Sequence, residues 1–225
     1  MQEKIIPEYE GFLRKFMLKV PEEISKASGI RIFGKKIKSI VFSTDICIIR
    51  NCNADAVIAV YPFTPQPIIS GAVISAADIP VFAGVGGGLT RGTRVLNLAN
   101  HAEHQGALAV VVNSPTGNEC IKELKANLDI PVILTVANDT DDIKLRLEAG
   151  ADIFNVSAAA KTAAVVRKIR TEFPNAAIIA TGGPTGASIL ETIEAGANAI
   201  TWTPPSNGEV FRDIMHAYRL NQEHP

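Results

Sequence analysis

An α/β protein built as a (β/α)8 barrel is what this sequence predicts, on three observations. Short β-branched runs recur along the chain without polar alternation, as expected of strands buried on both faces of a parallel sheet. The runs form two interleaved series. DIPVFAGV (from Asp78), DIPVILTV (from Asp129) and NAAIIATG (from Asn175) are spaced 51 and 46 residues apart; NADAVIAVY (from Asn53), QGALAVVVN (from Gln105), AGADIFNVS (from Ala149) and AGANAITWT (from Ala195) are spaced 52, 44 and 46. Each period holds two strands and two helices, and with KSIVFST as first member it recurs four times. Finally, 225 residues, 47% of them hydrophobic, suit one barrel as a single domain. Residues 1–37 are expected to cover the barrel bottom and 38–225 to form the barrel. A doubly wound open sheet is the alternative.

In chain order, Pro7 to Ala27 is an opening helix candidate with apolar Phe12, Phe16 and Ile24, which Pro21 breaks or restarts. IRIFGKKIKSIVFST then reads as a hairpin, with Gly34 and the lysine pair between two β-rich runs. Its second arm leads into a first barrel strand over about Lys38 to Ser43. Barrel strands are expected to start near residues 38, 55, 79, 107, 131, 152, 177 and 198. Helical segments such as Thr140 to Ala149 and Ser188 to Ala195 separate them. Gly106, Gly150 and Gly196 stand just before strands, where a helix C-terminus calls for a left-handed residue.

Composition narrows the function classes. A net charge of −1 gives no electrostatic footprint for nucleic acid or membrane, and the basic cluster Arg31 to Lys38 reads as a solvated hairpin. Cys47, Cys52 and Cys120 have no metal-ligand spacing and an odd count; Cys47 and Cys52 read as apolar filler. No secretion signal or membrane-length apolar run is seen, so a cytoplasmic protein is expected, with a homo-oligomer possible. His101 and His104 share a face of an outer helix and read as solvated or packing residues, so no metal is expected.

In such barrels chemistry sits at the C-terminal strand ends. Those ends are rich here in hydroxyls and amides and poor in titratable groups. IIATGGPTGAS reads as a strand running into a Gly-Gly turn and a helix start, which offers backbone N–H groups to an anion such as phosphate. Gly182 and Gly183 are the phosphate-binding candidates. Ser206, Asn207 and Gly208 could add donors after the last strand, where Pro204 and Pro205 have none. Ser206 with Glu209 also fits a capping box, so this loop could simply cap its own helix. A second anion loop is Gly86, Gly87 and Gly88 with Arg91, which could equally be a solvent-facing lid. Asp45 and Asp139 are the acid–base candidates, though both stand where N-caps are expected. Asn155 points inward if Phe154 and Val156 point out, and could orient a ligand. No lysine lies within strands 2 to 8, and Lys161 is expected on helix 6, so a Schiff base is disfavoured.

IIATGGPTG followed by AGANAITWT resembles the strand-7 and strand-8 end of aldolase-type and ribulose-phosphate-binding TIM barrels. The resemblance implies a phosphate on the Gly-Gly turn and on a small-residue turn after strand 8. The opening IRIFGKKIKSIVFST resembles the entry hairpin of FMN-dependent barrels, which implies FMN as a possible cofactor. The leading expectation is an enzyme of lyase or isomerase type acting on a small phosphorylated metabolite. The alternatives are an FMN-dependent oxidoreductase and a non-catalytic phosphate-ligand-binding barrel.

Overall fold

The computed structural model describes Pro7, Tyr9, Gly11 and residues 16–223. Eight parallel strands close into a barrel in the order β10-β3-β4-β5-β6-β7-β8-β9, which excludes the open sheet. The strands are β3 (Ser39–Phe42), β4 (Ala56–Ala59), β5 (Val81–Gly86), β6 (Ala109–Val112), β7 (Val132–Val136), β8 (Ile153–Val156), β9 (Ala177–Thr181) and β10 (Ala199–Trp202). Each begins within two residues of the position the repeat predicts. The helices between and after them are α1 (Ile46–Arg50), α2 (Pro67–Ala76), α3 (Thr93–His104), α4 (Asn118–Asn127), α5 (Ile143–Glu148), α6 (Thr162–Glu172), α7 (Gly186–Glu194) and α8 (Asn207–Arg219).

The repeat has a physical basis at the start of the strands. Asp55 accepts hydrogen bonds from the N–H groups of Lys38 and Ser39 (2.8 and 3.0 Å). Asp152 accepts from Val132 (2.9 Å), and Asn198 Oδ1 from Ile178 (2.9 Å). In three of the four strand pairs, therefore, an acidic or amide side chain opening the second strand secures the start of the first. The β5–β6 pair has Leu108 at that position. Gly106, Gly150 and Gly196 hold φ of +98°, +105° and +113° and end their helices as the sequence predicts; the residue after each donates back into the last turn, as Ala107 does to Ala102 O at 3.0 Å.

Side-chain alternation sorts the strands into two layers. Val110, Leu134, Phe154, Ile178 and Ile200 face the helices, while Ile40, Ile58, Phe82, Val111, Ile133, Ile153 and Ile179 fill the barrel. Ile32 and Ile37 join the inner cluster. They come from the hairpin β1 (Ile30–Ile32) and β2 (Lys35–Ile37), which lies where the strands begin. Its turn is Phe33–Gly34, both at positive φ, and the lysine pair starts the second arm rather than sitting in the turn.

The opening segment differs from expectation. Phe12 lies outside the described residues, but residues 16–20 are not helical, and the only helical part described is the 3-10 turn Glu22–Lys26 with Pro21 at its N-cap. Tertiary bonds explain this. Leu18 donates to Asn51 O (2.8 Å) and accepts from Asn53 N (3.2 Å), and Val20 N donates to Asn53 Oδ1 (2.8 Å). A segment tied to the end of α1 cannot also close helical hydrogen bonds. Cys52 is buried there, but Cys47 is exposed and is not core filler.

Candidate functional site at the barrel mouth

The mouth follows from the inner layer by adding two residues to each inward apolar position. On β3, β4 and β5 this gives Phe42, Val60 and Gly84, an apolar half. Beyond Val111, Ile133, Ile153, Ile179 and Ala199 it gives Asn113, Thr135, Asn155, Thr181 and Thr201, a polar half. Asn155 thus points inward, because Phe154 and Val156 pack against the helices. Register sets Thr135 beside Asn155, and Thr181 beside Thr201. Asn155 Oδ1 and Thr201 Oγ1 are buried and have no hydrogen-bond partner among the described residues. Native proteins leave few such atoms, since each costs about 1–3 kcal/mol.

Three clefts open on the mouth. One, of about 440 Å3, lies beside the ends of β9 and β10, with Thr181, Gly183, Gly186 and Thr201 on one side and Pro21, Ile189 and Trp202 of the helix side on the other. Another, of about 730 Å3, lies between the ends of β3 and β4 and the start of α8, with Phe42, Asp45, Tyr61, Ser206 and Glu209 on its walls. The third, of about 180 Å3, lies under the glycine-rich loop. Among the described residues, no lysine, arginine or histidine lines any of them.

The turn after β9 is partly closed on itself. Gly182 N donates to Thr201 O (3.3 Å), and a Cβ on Gly182 would meet Ile200 and Ile189 at 2.7 and 2.8 Å. Gly183 takes φ +76°. Thr185 and Ser188 form a capping box at the start of α7, which leaves the first-turn N–H groups of Gly186 and Ala187 without acceptors inside the helix. Glu23 from the 3-10 turn lies against Gly186, where a Cβ would come within 2.1 Å of its Oε1. A carboxylate therefore already stands beside this helix N-terminus and takes a share of its positive field.

The other sequence candidates separate. Ser206 and Glu209 do form the capping box, with Ser206 N donating to Glu209 Oε2 at 2.8 Å. The Ser206 hydroxyl also donates to Glu209 Oε2 (2.7 Å), and these two bonds, the hydroxyl's foremost, hold the exposed Glu209 carboxyl below the usual carboxylate range. Ser206 and Asn207 line the 730 Å3 cleft and Gly183 the 440 Å3 cleft, with Thr203 as the wall between. Asp45 caps α1, its Oδ1 accepting from Cys47 N (2.8 Å) and Ile48 N (3.3 Å). Asp139 is exposed and caps nothing; Asp142 is the cap of α5, accepting from Leu145 N at 3.1 Å. The glycine loop is divided: Gly86 and Gly88 line the 180 Å3 cleft, and Gly87 and Arg91 a separate cavity outside the mouth. Lys161 ends a 3-10 turn before α6 rather than lying on it. His101 and His104 are exposed in the last turn of α3.

Sequence reasoning missed a half-buried group behind the β6 and β7 ends. Arg146 Nη1 donates to Thr116 O (2.6 Å) and Asn118 Oδ1 (2.8 Å), and its Nη2 stands 3.5 Å from Asp141. Neither residue belongs to a motif, so only the contacts reveal the pair. Thr201 was legible as a strand-end hydroxyl; its lack of a partner was not.

Among the described residues no three His, Cys, Asp or Glu side chains gather in one place, so the residues present offer no all-protein metal cage. They fit FMN only at its phosphate end. The turn after β9 offers N–H groups, but the mouth supplies no cation to tune a flavin ring.

No family model and no curated protein matches the sequence. Solved structures do match the fold. Phosphonopyruvate hydrolase, solved with oxalate and Mg++, aligns at 12% identity and TM-score 0.61 over 85% of each chain. 2,3-Dimethylmalate lyase, a PEP mutase/isocitrate lyase superfamily member, aligns at 14% and 0.62 over 92% of this chain and 85% of that one. Mandelate oxidase aligns at 16% and 0.63 over 79% of this chain and 68% of that one. At these identities the likeness shows the (β/α)8 barrel fold, which hosts lyases and oxidases alike among these neighbours.

Proposed function

We propose that this chain is an enzyme of lyase or isomerase type that acts on a small phosphorylated metabolite bound at the mouth. The observation that carries the reading is the two unpartnered oxygens at the polar strand ends, Thr201 Oγ1, whose residue lines the 440 Å3 cleft beside the start of α7, and Asn155 Oδ1 on the inward face of β8. The phosphate would rest on the N–H groups of Gly183, Gly186 and Ala187, with any contribution from Ser206 to Gly208 coming from across Thr203. The ligand body would then reach the orphaned pair: Thr201 donates to a ligand oxygen, and Asn155 Oδ1 accepts from a ligand hydroxyl. Asp45 is the proposed base, because its cap uses Oδ1 and leaves Oδ2 free. Asp139, exposed and outside the mouth clefts, is not carried forward in a catalytic role.

A second reading, a non-catalytic binding barrel, is favoured by one fact: among the described residues, Asp45 and Glu209 are the only titratable side chains besides Tyr61 that line the mouth clefts. The test is a thermal-shift and calorimetric titration with three- to five-carbon sugar phosphates and their unphosphorylated counterparts. The phosphorylated forms should stabilise the protein and the others should not. Thr201→Val should fold at least as stably, since it deletes an unpaired hydroxyl, yet bind about tenfold more weakly, roughly 1.4 kcal/mol. Unchanged affinity in Thr201→Val sinks the proposed site. Turnover abolished by Asp45→Asn, which keeps the helix cap, supports the enzyme; binding without turnover of any sugar phosphate supports the second reading.

A further inference from the structure

Outside the mouth, a cavity of about 260 Å3 lies between the glycine-rich loop and the first turn of α4. Gly87, Arg91, Thr116, Gly117 and Cys120 line it. Its floor is a helix start with no cap of its own. α4 has 10 residues, its N-cap is Gly117, and no side chain bonds to its first-turn N–H groups. Those of Asn118, Glu119 and Cys120 have no acceptor inside the helix.

Thr116 supplies the independent observation. It is 4% exposed, and its Oγ1 has no partner. The hydroxyl faces the loop, because a Cβ on Gly87 would lie 2.1 Å from it. Arg91 stands on the loop side; its Nε donates to Gly88 O at 2.8 Å, and its two terminal nitrogens have no partner among the described residues. Behind the turn, Arg146 holds Thr116 O and Asn118 Oδ1, so the N–H groups and the hydroxyl keep a fixed geometry. The one carboxylate in the first turn, Glu119, points to solvent at 85% exposure and is paired with Lys122 at 2.9 Å.

We propose that this wedge binds a phosphoryl group through the first-turn N–H groups of α4, the Thr116 hydroxyl and the Arg91 guanidinium. The arrangement joins three kinds of oxyanion donor: helix N–H, buried hydroxyl and a forked cation. Thr90 lines both this cavity and the 180 Å3 cleft, so a phosphoryl group here would also steady the loop that walls the mouth.

The test is a titration of the full chain with inorganic phosphate, followed by amide NMR. Gly87, Asn118, Glu119 and Cys120 should shift together, with a fitted affinity that falls at least fivefold in Arg91→Met and in Thr116→Val. Both variants should fold: Arg91 is a surface loop residue, and valine is isosteric with a threonine whose hydroxyl is unpaired. Amide shifts confined to Gly183, Gly186 and Ala187, shifts at neither site, or unchanged affinity in either variant would overturn the proposal. The two amide groups report separately, so this site and the mouth stand or fall independently.

Discussion

Replacing Gly87 with alanine tests the wall between the mouth and the outer cavity. Gly87 has φ +98°, and a Cβ there would lie 2.1 Å from Thr116 Oγ1, 2.7 Å from Asn113 N and 3.1 Å from Asn113 O. Two of those atoms are backbone at the end of β6 and cannot swing away. The left-handed conformation costs a non-glycine residue roughly 1–2 kcal/mol. Forcing a methyl group against fixed atoms adds roughly 1–3 kcal/mol. The sum, about 2–5 kcal/mol, corresponds to a fall in Tm of roughly 4–20 °C for a chain of this size. Two neighbouring comparisons separate the terms. Gly34 has φ +83° with nothing within 4 Å, so Gly34→Ala should show the conformational cost alone. Gly88 has open space and no positive φ, so Gly88→Ala should be neutral or slightly stabilising. Thermal unfolding followed by circular dichroism ranks the three. A Gly87→Ala protein melting within about 2 °C of the parent, or a Gly88→Ala protein as unstable as Gly87→Ala, refutes the reasoning.

Two further predictions concern the ends of the barrel. Asn198 accepts from Ile178 N (2.9 Å) and Arg170 Nη2 (2.7 Å) and donates to Ser28 Oγ (2.9 Å); Asn198→Ala should cost about 2–3 kcal/mol, measured by denaturant unfolding. Asn198→Asp should recover most of that, because Asp55 and Asp152 do the same task at equivalent positions, and failure of the rescue would break the repeat argument. The Glu209 carboxyl is held low by Ser206, so its contribution to the start of α8 is present above the unfolded value and is lost as pH falls through the lower folded value. A carboxyl-carbon NMR titration should find its midpoint below the ordinary glutamate value of about 4.3; a midpoint at or above it contradicts the capping-box geometry.

The strand starts, the closing glycines and the four-fold period are determined by the sequence alone, because each depends on residues within one βα unit. β-branched runs can bury both faces only in a covered sheet, and a glycine at a helix end serves its own last turn. The inward aim of Asn155 was legible for the same reason, since strand alternation is local. What the tertiary structure decided involves residues far apart in the chain. Residues 16–20 are not helical because Asn51 and Asn53 claim the hydrogen bonds of Leu18 and Val20. Gly86 and Gly87 are adjacent, yet they line different cavities, because Gly87 packs against Asn113 and Thr116 of the β6–α4 connection while Gly86 packs against Thr90 and Val95. Asp139 stands where a helix cap is expected, but α5 begins at Ile143 and its cap is Asp142. Whether a hydroxyl such as Thr116 or Thr201 finds an acceptor depends on the neighbours the closed barrel brings to it, and no local pattern encodes that.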